Sequence, residues 1–260
     1  MRWAAGIEYD GSGFCGWQLQ QPGVRTVQEA VEHAFSTVAD HALGVVCAGR
    51  TDAGVHATGQ VVHFDSEARR AERSWVLGAN ANLPEDVTVH WVRPVAEDFH
   101  ARFSARERRY RYLILNRWVR PALLRGRVTW FHKPLDVERM RAGGRHLLGE
   151  HDFSSFRALG CQAKSPVREV RSLEVSRSGD FVAIDIAANA FLHHMVRNIA
   201  GVLMAIGTGE REPDWVPVLL EARDRTVGGV TAPPDGLYFV QVRYEPQHGI
   251  PVGLAPPVYG

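Results

Sequence analysis

Several things are scarce in this chain of 260 residues. Cysteine occurs three times, at Cys15, Cys47 and Cys161, widely spaced and with no CxxC pair. That argues against a disulfide framework or a cysteine-built zinc site and suits a reducing, cytoplasmic setting. Lysine occurs only at Lys133 and Lys164, so 28 of the 30 basic residues are arginine. No apolar run approaches the roughly 18 residues of a membrane span, so no membrane partner is expected. The opening "MRWAAGIEYDGSG" meets polar and turn residues too soon for a secretory leader. What is plentiful is ordinary: 45% hydrophobic and 23% charged residues, as in a globular protein with ample material for a core.

The net charge is only +1, but its distribution is uneven. Between Ala101 and Arg127 stand nine arginines against one acid, Glu107. A charge run is most simply a solvated face. Here Phe103, Tyr110, Tyr112 and Trp118 are interleaved, and arginine with aromatics can neutralise phosphates and stack on exposed bases.

The periodicities predict an α/β (α+β) chain. "RWAAGIEYD" reads as a strand. A helix follows from Thr26, where "TVQE" is a capping box and Val27, Ala30, Val31, Ala34, Phe35 and Val38 make one apolar stripe. Strands flank residues 49–59, a helix is expected around 69–81, and "VTVHWV" is another strand. The order is β-α-β-β-α-β, a split βαβ (ferredoxin-like) half. The second half varies it: strands "RRYRYLILN" and "GRVTWFH", a helix "DVERMRAGGRHLLG" capped by Asp136, a hairpin turning at Ser178-Gly179, helices over 191–206 and 213–223, and a last strand "GLYFVQVRY". The expected domains are 1–104 and 105–245, with a proline- and glycine-rich tail over 246–260.

Three segments invite a chemical reading. "GSGFCG", residues 11–16, matches G-x-G-x-x-G after a strand, but the next helix begins only at Thr26, so the geometry of a dinucleotide site fails. Its continuation, with Trp17, Gln18, Gln20 and Gln21, is either an RNA-contacting loop or a plain connection. The helix over 191–206 sets an apolar stripe (Leu192, Met195, Val196, Ile199, Val202, Leu203, Ile206) against His193, His194, Arg197, Asn198 and Gly201. That polar face has no acid, so Arg197 lacks a partner on its own helix, and Gly201 leaves room for something to approach. No neighbouring acid or cysteine in sequence completes a metal set with the two histidines. The third segment, "GRTDAGVHATG" over 49–59, is longer than a hairpin needs. Its Asp52 is either a turn-forming residue or, with Arg50 beside it, an ionised acid held in a site as base or nucleophile.

"GRTDAGVHATGQV" resembles the signature of the tRNA pseudouridine synthase A family. "RRYRY" at 108–112, "HDFSSFR" at 151–157, "FLHHMVRNIAG" at 191–201 and "APPDGLYFV" at 232–240 resemble further blocks of that family in order, covering Ile7 to Tyr244. The resemblance implies a pseudouridine synthase fold, with a mixed, largely antiparallel sheet and two α/β domains at a central cleft. It implies a homodimer acting on tRNA without cofactor or metal, isomerising uridine at about positions 38 to 40 of the anticodon stem-loop, where the base must be flipped out. It also assigns roles: Asp52 as the essential aspartate, Tyr110 as an active-site tyrosine, Arg197 as the arginine paired with the aspartate, and Arg50 as the group that displaces the base. A carboxylate suits this chemistry at C1′, as in retaining glycosidases, at the base, or at the C2′ proton.

Overall fold

The computed structural model describes residues 1–251, which hold ten β-strands and five α-helices. The chain divides into two compact units: Met1–Arg106 with the strand entered at Tyr238, and Glu107–Leu237.

The first unit runs β1 (Arg2–Tyr9), α1 (Val27–Ala39), β2 (Val46–Cys47), β3 (His56–Asp65), α2 (Glu72–Asn82) and β4 (Val87–Pro94). Its strands lie in the order β4-β1-β3-β2, every neighbour antiparallel, as a split βαβ requires. Thr26 caps α1, its hydroxyl accepting from Glu29 N at 3.4 Å. The apolar stripe of α1 then turns inward: Val27, Val31, Ala34 and Phe35 are buried. Phe35 stacks on Phe64 of β3 with centroids 4.6 Å apart, and Trp75 of α2 meets the same Phe64 edge-on. The two helices thus cover one face of the sheet.

At ten residues β3 is long enough to serve two partners on the edge away from β1. Its C-terminal half takes β2, with Val46 opposite His63 and Cys47 opposite Val62. Its N-terminal half takes β10 (Leu237–Arg243) in parallel, with Tyr238 opposite His56 and Phe239 opposite Ala57. The sequence places that last strand within 105–245; from Tyr238 onward it lies instead in the first unit.

The second unit contains β5 (Glu107–Asn116), β6 (Thr129–Phe131), α3 (Val137–Arg145), β7 (Gly149–Asp152), β8 (Val167–Ser178), β9 (Phe181–Ala188), α4 (Met195–Gly207) and α5 (Trp215–Ala222). Its order is β6-β5-β9-β8-β7, with β6 parallel to β5 and the rest antiparallel. The β5-β9-β8 core with α3 and α4 repeats the split-βαβ order. Asp136 caps α3 as expected, accepting from Glu138 N at 2.9 Å and Arg139 N at 3.1 Å. The α-helix ends at Arg145 rather than Gly149: His146, Leu147 and Leu148 N bond three residues back, to Gly143, Gly144 and Arg145 O, and Gly149 (φ +94°) then turns the chain into the short strand β7.

Of the tail, Pro246–His248 forms a short 3₁₀ turn, and Arg93 donates to Gly249 O; residues 252–260 lie outside the described residues. No helix among the described residues is long and apolar enough to cross a membrane.

Candidate active site

Asp52 sits in the loop between β2 and β3. The strand starts at His56, so the irregular segment is shorter than 49–59: residues 48–55. The loop is fastened at almost every step. Ala48 N donates to Val61 O at 2.8 Å and Gln60 Nε2 to Gly49 O at 2.6 Å. Trp17 N donates to Thr51 O at 3.0 Å, and Gly54 N to Phe14 O at 3.3 Å. Val55 N closes a turn on Asp52 O at 3.1 Å, with Gly54 at φ +77°, where an L side chain would be strained.

Segment 11–17 is therefore the platform on which the Asp52 loop rests. A Cβ on Gly16 would fall 2.7 Å from Thr51 O, and one on Gly11 would fall 2.0 Å from Val55 O. The glycines that mimic a dinucleotide fingerprint allow backbone to meet backbone instead. Trp17 is buried, part of the core rather than an RNA-facing loop. Within 49–59 a Cβ on Gly59 would fall 2.2 Å from Val240 O and Gly54 takes its positive φ, so these glycines serve internal packing and turning rather than looseness.

Beneath the loop lies a buried polar group the sequence reading missed. The Tyr9 and Thr51 hydroxyls are 2.8 Å apart, and Gln60 Nε2 donates to Tyr9 at 3.5 Å. Burial pushes the Tyr9 hydroxyl well above the usual phenol range despite these bonds, so it stays protonated and can donate to Thr51. Tyr9 points inward from β1 and Gln60 from β3; a buried glutamine among apolar strand residues was the only signal available. Nearby, His56 Nδ1 lies 3.2 Å from Asp10 Oδ1 and 3.0 Å from Gly11 N. His56 holds the Asp10 carboxyl well below the usual range, against the cost of burial. Burial pushes the Cys47 thiol up to about 12, with the Arg50 guanidinium opposing it, so the thiol is neutral. Arg50 itself is exposed, while Asp52 is half-buried on the same loop.

In the second unit, Tyr110 lies on β5 with its ring edge-on to Phe191, centroids 5.0 Å apart. Tyr112, two residues on and so on the same face, shares a 2.6 Å hydrogen bond with Thr129 Oγ1 and donates to Pro233 O at 2.8 Å. Burial raises its hydroxyl, and the charge of Arg197 opposes that rise. Tyr110 and Arg197 therefore lie on one side of this unit's sheet. Arg197 belongs to the first turn of α4, which begins at Met195; His194 (φ +61°) is the cap and His193 lies before it, neither in the helix. The polar face of α4 is also less open than its composition suggests. Arg197 Nε donates to Ala232 O at 2.8 Å, and Ala232 N donates to Arg197 O at 3.1 Å. Asn198 is buried and bonded to Phe156 O, Arg225 and Thr231. A Cβ on Gly201 would fall 1.8 Å from Val230 O. What approaches Gly201 is the chain's own segment 230–232, not a ligand.

The arginine run also divides. On and beside β5, Arg106 meets Glu245, Arg109 meets Glu107, and Arg111 grips Asp185 with two bonds of 2.8 and 2.9 Å. Arg108 donates to Asn189 O.

Fold and candidate site together describe an α/β protein offering one loop-borne carboxylate with a guanidinium beside it. A family model described as tRNA pseudouridine synthase matches residues 5–104 and 144–245. The chain is 62% identical over 251 residues to the tRNA pseudouridine synthase A of Nitrosococcus oceani, covering 96% of each. It is 63% identical over 250 residues to the tRNA pseudouridine synthase A of Methylococcus capsulatus, covering 96% of this chain and 92% of that one. For the protein of the same name from Pseudomonas aeruginosa the identity is 57% over 250 residues, covering 96% and 88%. The chain belongs to the tRNA pseudouridine synthase family, a family of isomerases.

Proposed function

We propose that the chain isomerises uridine to pseudouridine in tRNA, at about positions 38 to 40 of the anticodon stem-loop, on a nucleotide flipped from its stack. Family membership supports the reaction, and the observation that carries the site is Asp52 on a loop bolted to segment 11–17 and β3. A carboxylate that must meet one defined atom needs such a mount.

The reaction breaks N1–C1′ and forms C5–C1′; the proton lost from C5 is balanced by one gained at N1. No electrons are exchanged and no co-reactant is consumed. In this reading Asp52 is the essential carboxylate. Arg50, exposed on the same loop, displaces the base and fills the vacated stack. Tyr110 holds the uracil by its ring, and Arg197, tied to Ala232 O at the start of α4, is the cationic member of the set. The working form in this reading is a cytoplasmic homodimer.

The test is incubation of the protein with unmodified tRNA transcript, followed by chemical labelling of pseudouridine and mapping of its position. Conversion within the anticodon stem-loop by the wild type, slowed at least about a hundredfold in Asp52→Asn, is expected. Conversion by the Asn variant at near wild-type rate would remove Asp52 from its role, and conversion mapped elsewhere would remove the positional assignment.

A further inference from the structure

The chain between β5 and β6 presents a surface that the candidate site does not use. Residues 117–127, "RWVRPALLRGR", hold four arginines and no acid. Trp118 is 87% exposed and Leu123 92% exposed, with Val119 exposed between them and Trp130 of β6 partly so. Large apolar side chains displayed this fully within one short loop mark a binding surface rather than ordinary scatter. The start of the loop is fastened to the sheet: Trp130 Nε1 donates to Arg117 O at 2.9 Å, and Arg117 Nε to Val119 O at 2.9 Å. Trp118 thus stands on an ordered mount.

The charges identify the partner. Arg117 has Asp180 at 3.8 Å. Arg120 and Arg125 are exposed, and neither has a hydrogen bond or ion pair among the described residues. They differ in this from Arg106, Arg109 and Arg111, which carboxylates occupy. A second copy packed on the same surface would bring more arginines to it and no acid from this loop to pair them. An anionic partner with flat π faces answers both features at once: its phosphates take the guanidinium groups, and an unstacked base takes the indole.

We propose that the loop 117–127 is an RNA-contacting platform, with Trp118 stacking on an unpaired base of the tRNA and Arg120 and Arg125 holding neighbouring phosphates. This rests on the reading of tRNA as substrate. The experiment compares the full chain with Trp118→Ala, Trp118→Phe and the double variant Arg120→Ala/Arg125→Ala, measuring tRNA affinity against salt together with turnover. Trp118→Ala is expected to weaken binding about tenfold, with Trp118→Phe keeping most of the affinity because a ring is retained. The double variant is expected to flatten the slope of log K against log salt by about 1.5. The loss should appear in KM for tRNA. Unchanged affinity and slope in variants of a wild type that converts tRNA would overturn the platform alone. A dimer that dissociates in Trp118→Ala would also overturn it, assigning the surface to a second copy. A wild type that converts no tRNA would overturn the substrate reading, and this proposal with it.

Discussion

Asp52 is one side chain among many polar contacts that a tRNA would make, so chemistry and affinity should separate when it is changed. Asp52→Asn is expected to lower turnover by about a hundred- to ten-thousandfold while tRNA affinity, dominated by phosphate contacts, stays close to wild type. Steady-state turnover and filter binding on one preparation check both. Tyr9 works through another residue. Tyr9→Phe removes the hydroxyl 2.8 Å from Thr51, and should cost about 1 kcal/mol of stability and lower kcat with little change in KM. His63 gives a pH signature. Burial, followed by the neighbouring His100 and Arg2, lowers its pKa to about 4 from 6.5. Its Nδ1 accepts from Ala101 N at 3.1 Å, which only an unprotonated Nδ1 can do. Below pH 6.5 the unfolded chain takes up a proton that the fold refuses, so stability falls as pH drops from 6.5 toward 4. After allowance for solvent screening this is on the order of 2 kcal/mol. Thermal unfolding across that window should show a shallower decline in His63→Gln.

Among the elements, the loop 48–55 and helix α4 show how close backbone approach is written in glycine. Gly16 supports the Asp52 loop from below, and Gly201 lets segment 230–232 lie on α4. Gly201→Ala would drive a methyl into Val230 O, so it is expected to destabilise the protein by about 1–3 kcal/mol, the usual cost of overpacking, seen as a lower Tm. An unchanged Tm would mean that 230–232 does not lie on α4. The sequence placed the start of this helix too early for an identifiable reason. Leu192 continues the apolar stripe and is buried, but it does so from a turn, with Met195 N bonded to Leu192 O at 3.0 Å. Periodicity reports which side chains point inward, not which backbone carries them.

For the whole molecule, two features of the chain's order change meaning once it is folded. The run of arginines from 102 to 127 is continuous in sequence, yet on β5 Arg111 meets Asp185, Arg109 meets Glu107 of its own strand and Arg108 meets Asn189 O, while Arg120 and Arg125 of the loop 117–127 stay exposed. The last strand reads as the close of the second half, yet β10 pairs with β3. If the working form is a homodimer, sedimentation should give twice the 28.9 kDa of the chain; a mass of one chain across the working concentration range would exclude it.

The alternation of strands and helices, the caps at Thr26 and Asp136, the stripe of α1 and the antiparallel hairpin at 178–179 were all legible from the sequence, because each depends on neighbours within a turn or two. So were the family and the identity of Asp52, Arg50, Tyr110 and Arg197 as candidates, because those motifs are contiguous. Which residues support them was not. Tyr9 and Gln60 are 51 positions apart, Gly201 and Val230 meet only across a packed surface, and Gly11 and Gly16 look like a nucleotide loop until the Asp52 loop rests on them. A steric or hydrogen-bonding role shared between distant segments exists only after those segments are packed together, and there the tertiary structure decided it.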